Sequence, residues 1–178
     1  LRQHNALRTL NVSNNSISDE GVEAIAKVLQ QHYSLTLFLV SLTELDISWN
    51  SISASGAKTI AEALKQNNAL RTLDISNNSI SDEGAKAFAE ALKQNSALTT
   101  LDLRYNTASR TGSAAIVQAL RFNTTLSTLS LAHEQFVLAR PRCNFLIFSG
   151  THAVCSAVPL QRLQRTFLQY WSACKCSC

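Results

Sequence analysis

Cysteine is missing from the first 142 residues. All five, Cys143, Cys155, Cys174, Cys176 and Cys178, crowd into the last part of the 178-residue chain, so no disulfide framework holds the remainder. Two prolines and five glycines are too few for a linker-rich or disordered protein. No apolar run reaches the roughly 20 residues that a membrane-crossing helix needs. The formal net charge is +4, but it lies after His133, where Arg140, Arg142, Arg162, Arg165 and Lys175 face the single acid Glu134. Charges balance before that point, which excludes a basic nucleic-acid surface there. Methionine is absent and residue 1 is Leu, as expected for a piece of a longer chain, so the lack of a leader segment carries no weight. Hydrophobic residues make up 46% of the chain, enough for one compact unit or a short repeat array.

What the chain does have is repetition. "LRTLNVSNNSISDEG" at residues 7–21 returns as "LRTLDISNNSISDEG" at residues 70–84. Leu45, Leu73, Leu101 and Leu129 stand 28 residues apart, whereas Leu10 precedes Leu45 by 35, which places a seven-residue insertion near residues 35–42. Residues 7–17, 42–52, 70–80 and 98–108 each spell L-x-x-L-x-L/I/V-x-x-N-x-I/A. That is the leucine-rich repeat pattern. The second half of each unit carries helical spacing, as in Ile60, Ala61, Ala63 and Leu64, or Phe88, Ala89, Ala91 and Leu92.

A strand-plus-helix unit cannot bury its own leucines, so identical units must stack. Strands pack about 4.8 Å apart and helices roughly 8–10 Å apart. The helical side is therefore wider, and the stack bends with its strands on the inside. The expected fold is α/β: a curved leucine-rich solenoid, a horseshoe fragment with a parallel concave sheet and convex helices. It spans residues 1–132 as about four complete units and a partial fifth, followed by a non-repeat tail over 133–178. Asn15, Asn50, Asn78 and Asn106 form a structural ladder that closes each strand by bonding backbone of its turn and of the next unit. Gly21, Gly56, Gly84 and Gly112 fall in the first helical turn, where close packing favours a missing side chain. Ser18 and Ser81 read as helix caps followed by acids.

The 28-residue strand–helix unit resembles the ribonuclease-inhibitor-like subclass of leucine-rich repeats over residues 1–131, a group that also holds leucine-rich domains of NOD-like receptors and Ran GTPase-activating protein. The resemblance implies a cytoplasmic protein-recognition module in a larger receptor-like or regulatory protein, with innate immunity as one setting. The alternative it implies is regulation of an enzyme, as a GTPase activator or a ribonuclease-inhibitor-like protein.

Positions between the strand leucines should face the concave side: Thr9, Asn11, Ser13 and Asn14; Glu44, Asp46, Ser48 and Trp49; Thr72, Asp74, Ser76 and Asn77; Thr100, Asp102, Arg104 and Tyr105; then Thr128 and Ser130. The candidate partner-binding set is Glu44, Asp46, Trp49, Asp74, Asn77, Asp102, Arg104 and Tyr105, and the expected partner is another protein. Asp46, Asp74 and Asp102 form a ladder of acids, either a track for a basic partner or carboxylates neutralised by local hydrogen bonds. Trp49 and Tyr105, with Arg104 beside the latter, are types that anchor interfaces; the alternative is that they pack on neighbouring side chains. No Ser or Cys nucleophile shares a row with His4, His32, His133 or His152, no phosphate-binding loop occurs, and neither cofactor nor metal is implied. Binding, not catalysis, is the expectation. Asn11, Asn14, Asn77 and Asn123 begin N-x-S/T triplets, read as unmodified asparagine because the pattern is short and common.

The tail loses the template: Glu134 stands where an asparagine is expected. Residues 160–171 could form a short amphipathic helix with Leu160, Leu163, Phe167 and Trp171 on one side. Three readings stand for the tail. It caps the last repeat, it binds metal through His152, Cys155, Cys174, Cys176 and Cys178 at spacings unlike the usual C-x₂₋₄-C, or it is translated from non-coding sequence and is disordered.

Overall fold

A computed structural model describes residues 7–30, 42–131, 134–139 and 145–148, the last two stretches as backbone alone. The seven inserted residues, apart from Leu42, lie outside these, as do the tail cysteines and the helix expected at 160–171.

Strands and helices alternate: β1 (Thr9–Asn11), α1 (Asp19–Gln30), β2 (Glu44–Asp46), α2 (Ala54–Gln66), β3 (Thr72–Asp74), α3 (Asp82–Gln94), β4 (Thr100–Asp102), α4 (Arg110–Ala119) and β5 (Thr128–Leu131). β1 to β5 pair in parallel, in sequence order. Thr9 pairs with Glu44 and Leu10 with Leu45, so the insertion leaves the register of unit 2 intact. The chain is the expected curved leucine-rich solenoid, with the sheet on its concave side and the helices on its convex side.

The leucine columns are the core. Leu45, Leu73, Leu101 and Leu129 are buried, as are Ile47, Ile75, Leu103 and Leu131 in the next column. From the helices come Ile60, Phe88 and Ile116, with Leu64, Leu92 and Leu120 a turn further on. Each side chain meets its counterparts in the units on either side, so stability accumulates interface by interface. Unit 1 has a described neighbour on one side only: Leu10, Val12, Ile17 and Ile25 are half-buried and Leu7 is exposed.

Helix starts follow from local chemistry. Ser53, Ser81 and Ser109 cap α2, α3 and α4, each hydroxyl accepting a bond from the N–H two residues on. Glycine in the first turn answers to contact between units. At Gly84 an added Cβ would sit 2.6 Å from Ile80 Cγ2 and 2.8 Å from Ala57 Cβ, too close for either to accommodate freely.

Beyond β5 the template ends and the sheet continues differently. β6 (Glu134–Ala139) runs antiparallel to β5, and β7 (Phe145–Phe148) antiparallel to β6. The tail sequence shows no repeat period, yet "EQFVLA" and "FLIF" are rich in β-branched, aromatic and aliphatic residues suited to strands. Together they occupy the open edge of β5.

Candidate functional site: the concave face and its upper edge

Parallel register lines the strand residues into rows. Asn11, Asp46, Asp74, Asp102 and Ser130 pair in succession, so the acid ladder exists as a spatial column. Its carboxylates are nevertheless engaged locally. Asp46 Oδ1 accepts bonds from the Ser48 N–H (3.0 Å) and hydroxyl (2.6 Å), and Oδ2 accepts one from Asn11 Nδ2 (2.8 Å). Asp74 Oδ1 accepts from the Ser76 N–H at 2.9 Å. Asp102 is buried and held by Arg104, whose Nε and Nη2 donate to it at 2.9 and 2.6 Å while its N–H donates at 3.0 Å. Each acid thus closes the turn that ends its strand, the side chain accepting from the backbone two residues on.

Asp74 differs in its electrostatics. Burial raises its pKa above the ordinary carboxylate value, and the flanking Asp102 and Asp46 add to the rise, against the bonds from Ser76. The hydrogen bond to Asp102 raises the pKa of Arg104 further above its already high value.

Two expected positions change face. Ser48 and Ser76 are buried, because the turn each acid makes draws the following serine into the surface; Ser130 is buried as well. The concave rim is left to Glu44, which accepts a bond from the Thr9 hydroxyl at 3.1 Å, to the partly exposed Asp46 and Asp74, and to the residues that follow the serines.

Those residues form the upper edge of the sheet: Asn14, Trp49, Asn77 and Tyr105. All four have positive φ, at 57°, 53°, 52° and 53°, the left-handed region that asparagine tolerates and aromatic residues avoid. Their backbone N–H groups still bond the next unit, Trp49 to Ser76 O at 3.0 Å and Asn77 to Arg104 O at 2.9 Å. Trp49 is 62% exposed and Tyr105 51%. Two aromatic rings therefore stand in solvent at backbone positions that oppose them.

The left-handed step turns the following asparagine inward. Asn78 Oδ1 accepts from the Ile52 N–H, and Nδ2 donates to Ile47 O, Ile75 O and Ser76 O. Asn50 and Asn106 repeat this toward units 1 and 3. The ladder thus clips each unit to the one before it, not to the one after. Asn15 bonds only carbonyls of its own unit, Val12 and Ser13.

Two further inter-unit clasps escaped the sequence pattern. Asn67, Asn95 and Asn123 are buried at the helix exits, and their amides donate to Leu29, Leu64 and Leu92 carbonyls. Asn123, buried this way, is no acceptor for a glycan. Asp19 and Asp82 reach the next helix cap, accepting from the N–H and hydroxyl of Ser53 and Ser109. The Ser109 hydroxyl lowers the Asp82 pKa; for Asp19, burial raises the pKa but bonds from Ser53 and Gly56 outweigh it. The convex helices carry exposed pairs such as Lys27–Glu23 and Lys93–Glu90, worth little individually. Among the described residues no group of three His, Cys, Asp or Glu could hold a metal ion, and no helix is long and apolar enough to cross a membrane.

This architecture is that of a leucine-rich repeat protein, and a general leucine-rich repeat model matches residues 3–26. The model of the TMOD/LMOD leucine-rich domain matches residues 40–140; the chain belongs to that family. Among solved structures it is similar to the actin-binding site 2 of leiomodin-1, with a TM-score of 0.60 and 25% identity over 70% of each chain. No curated protein matches it. The narrower expectation of a ribonuclease-inhibitor-like array akin to NOD-like receptors gains no support from these matches.

Proposed function

We propose that the chain is a protein-docking module whose partner lies on the concave sheet and its upper edge, and that actin is that partner. The observation that carries the docking surface is the exposure of Trp49 and Tyr105 in a backbone conformation that costs aromatic residues about 1–2 kcal/mol. Strain kept at exposed residues is a signature of function. The likeness to an actin-binding site of leiomodin-1 supplies the partner. A cytoplasmic setting belongs to this proposal. The receptor-like and GTPase-regulating roles implied by the ribonuclease-inhibitor resemblance have no such observation in their favour.

The test is sedimentation of the full chain with actin filaments, paired with gel filtration against actin monomers. Saturable association with either form supports the proposal. Association with neither at concentrations up to about 100 μM, where weak specific complexes are still populated, refutes actin as the partner.

A further inference from the structure

The concave face has an unbalanced charge pattern at its aromatic edge. Glu44, Asp46, Asp74 and Asp102 lie on successive strands, and Arg104 is committed to Asp102 through both its Nε and Nη2. Arg71 is turned to the foot of the sheet, where its guanidinium donates to Asn68 and Ala97 carbonyls. Three carboxylates, Glu44, Asp46 and Asp74, thus stand without a basic side chain bonded to them. Immediately above them are Trp49, Asn77 and Tyr105, on three neighbouring units. Two strand spacings put about 10 Å between the backbones that carry the rings. That interval admits one side chain between them, with a cation within about 6 Å of each ring.

We propose that this edge receives a lysine or arginine side chain carried on an extended segment of the partner protein, its cationic head lying between Trp49 and Tyr105 and above Asp74. The inference rests on the concave face being the docking surface, and adds what that surface selects. The rings supply negative faces and shield the site from water, and the carboxylates supply opposite charge at close range. A neutral or acidic segment finds no complementary group there and leaves the acids crowded. The bound cation relieves the mutual repulsion that Asp46 and Asp102 impose on Asp74. An aromatic residue at a left-handed position then has a use that asparagine, its counterpart in units 1 and 3, cannot serve.

The test uses the whole chain with Trp171→Phe, so that Trp49, the other of the two tryptophans, alone reports by fluorescence. The probes are the octapeptides (Gly-Arg)4, (Gly-Gln)4 and (Gly-Glu)4. A saturable change with (Gly-Arg)4 and none with the other two is expected. Tyr105→Asn and Asp74→Asn should each weaken (Gly-Arg)4 binding about fivefold or more, within the range for one cation–ring or charge contact. Glu90→Gln on the convex side should leave it within about twofold. Both site substitutions remove a destabilising feature, so melting temperatures hold or rise and lost binding is not unfolding. Equal responses to all three peptides, no saturable response, or unchanged affinity in both variants overturns the inference. Actin binding without a peptide response refutes this inference alone; a selective peptide response without actin binding refutes only the choice of actin.

Discussion

Replacing Asn78 by alanine probes what joins one unit to the next. The side chain is buried and its amide satisfies four backbone groups, one N–H and three carbonyls, with donor–acceptor distances of 3.0–3.2 Å. Alanine leaves the Ile52 N–H without a partner beside a fully buried side chain and strips Ile47 O and Ile75 O of a donor. An orphaned buried group costs about 1–3 kcal/mol. Carbonyls with a second lone pair lose less than an N–H, so the sum is about 3 kcal/mol, a large share of the 5–15 kcal/mol that holds a typical domain. Asn15→Ala is the internal control. That amide bonds two carbonyls of its own exposed unit, and water replaces it at a cost below about 1 kcal/mol. Urea unfolding followed by far-ultraviolet circular dichroism, with the slope checked for constancy, reads both. Equal losses for the two variants, or a loss below about 1 kcal/mol for Asn78→Ala, would refute the claim that the ladder clips units together.

Trp49→Asn and Tyr105→Asn, each in the left-handed region at φ 53°, should each raise stability by about 1 kcal/mol, visible as a higher urea midpoint; a lower midpoint would mean the rings contribute packing. Gly84→Ala should lose about 1–2 kcal/mol despite alanine's helix propensity, because the new methyl meets Ala57 Cβ at 2.8 Å; unchanged stability would contradict that contact. Asp74 and Asp82 should respond to pH in opposite senses. The pKa of Asp74 is raised in the fold, so its stabilising effect is complete below the unfolded value near 3.8 and is lost as pH climbs through the folded value. Asp74→Asn should therefore be more stable than the parent at pH 7 and level with it in acid. The pKa of Asp82 is lowered, so its contribution is present above the unfolded value and fades as pH falls through the folded one; Asp82→Asn should lose stability at pH 7 and converge with the parent in acid.

Period and chemistry were legible wherever a residue answers to its own unit. The 28-residue spacing of Leu45, Leu73, Leu101 and Leu129 set the strands, their register and the buried column, and Ser81 declared itself as a cap. What the pattern hid depends on a neighbour in space. The ladder of Asp46, Asp74 and Asp102 reads as free acid until each is seen to accept from the backbone two residues on, which also buries Ser48 and Ser76. Asn67, Asn95 and Asn123 stand 28 apart in plain view, but only stacking reveals that they bond the preceding unit. Asp19 and Asp82 looked like charges at their own helix starts, whereas their bonds go to the next cap; unit 2 has Ala54 in that column and no such bond. The strain at Trp49 and Tyr105 did leave a signal: they replace Asn14 and Asn77, the residue type that a left-handed position prefers. Strands β6 and β7 follow no repeat, so periodicity could not announce them.

The most direct test of the account compares the two faces of the arc against actin. One variant of the full chain carries Glu44→Lys and Trp49→Asn on the concave side; the other carries Glu62→Lys and Glu90→Lys on the convex helices, where both acids are exposed. The concave variant is expected to bind at least about tenfold more weakly, equal to about 1.4 kcal/mol, and the convex one within about twofold of the parent. Loss confined to the convex variant, with the concave one unimpaired, would contradict the account.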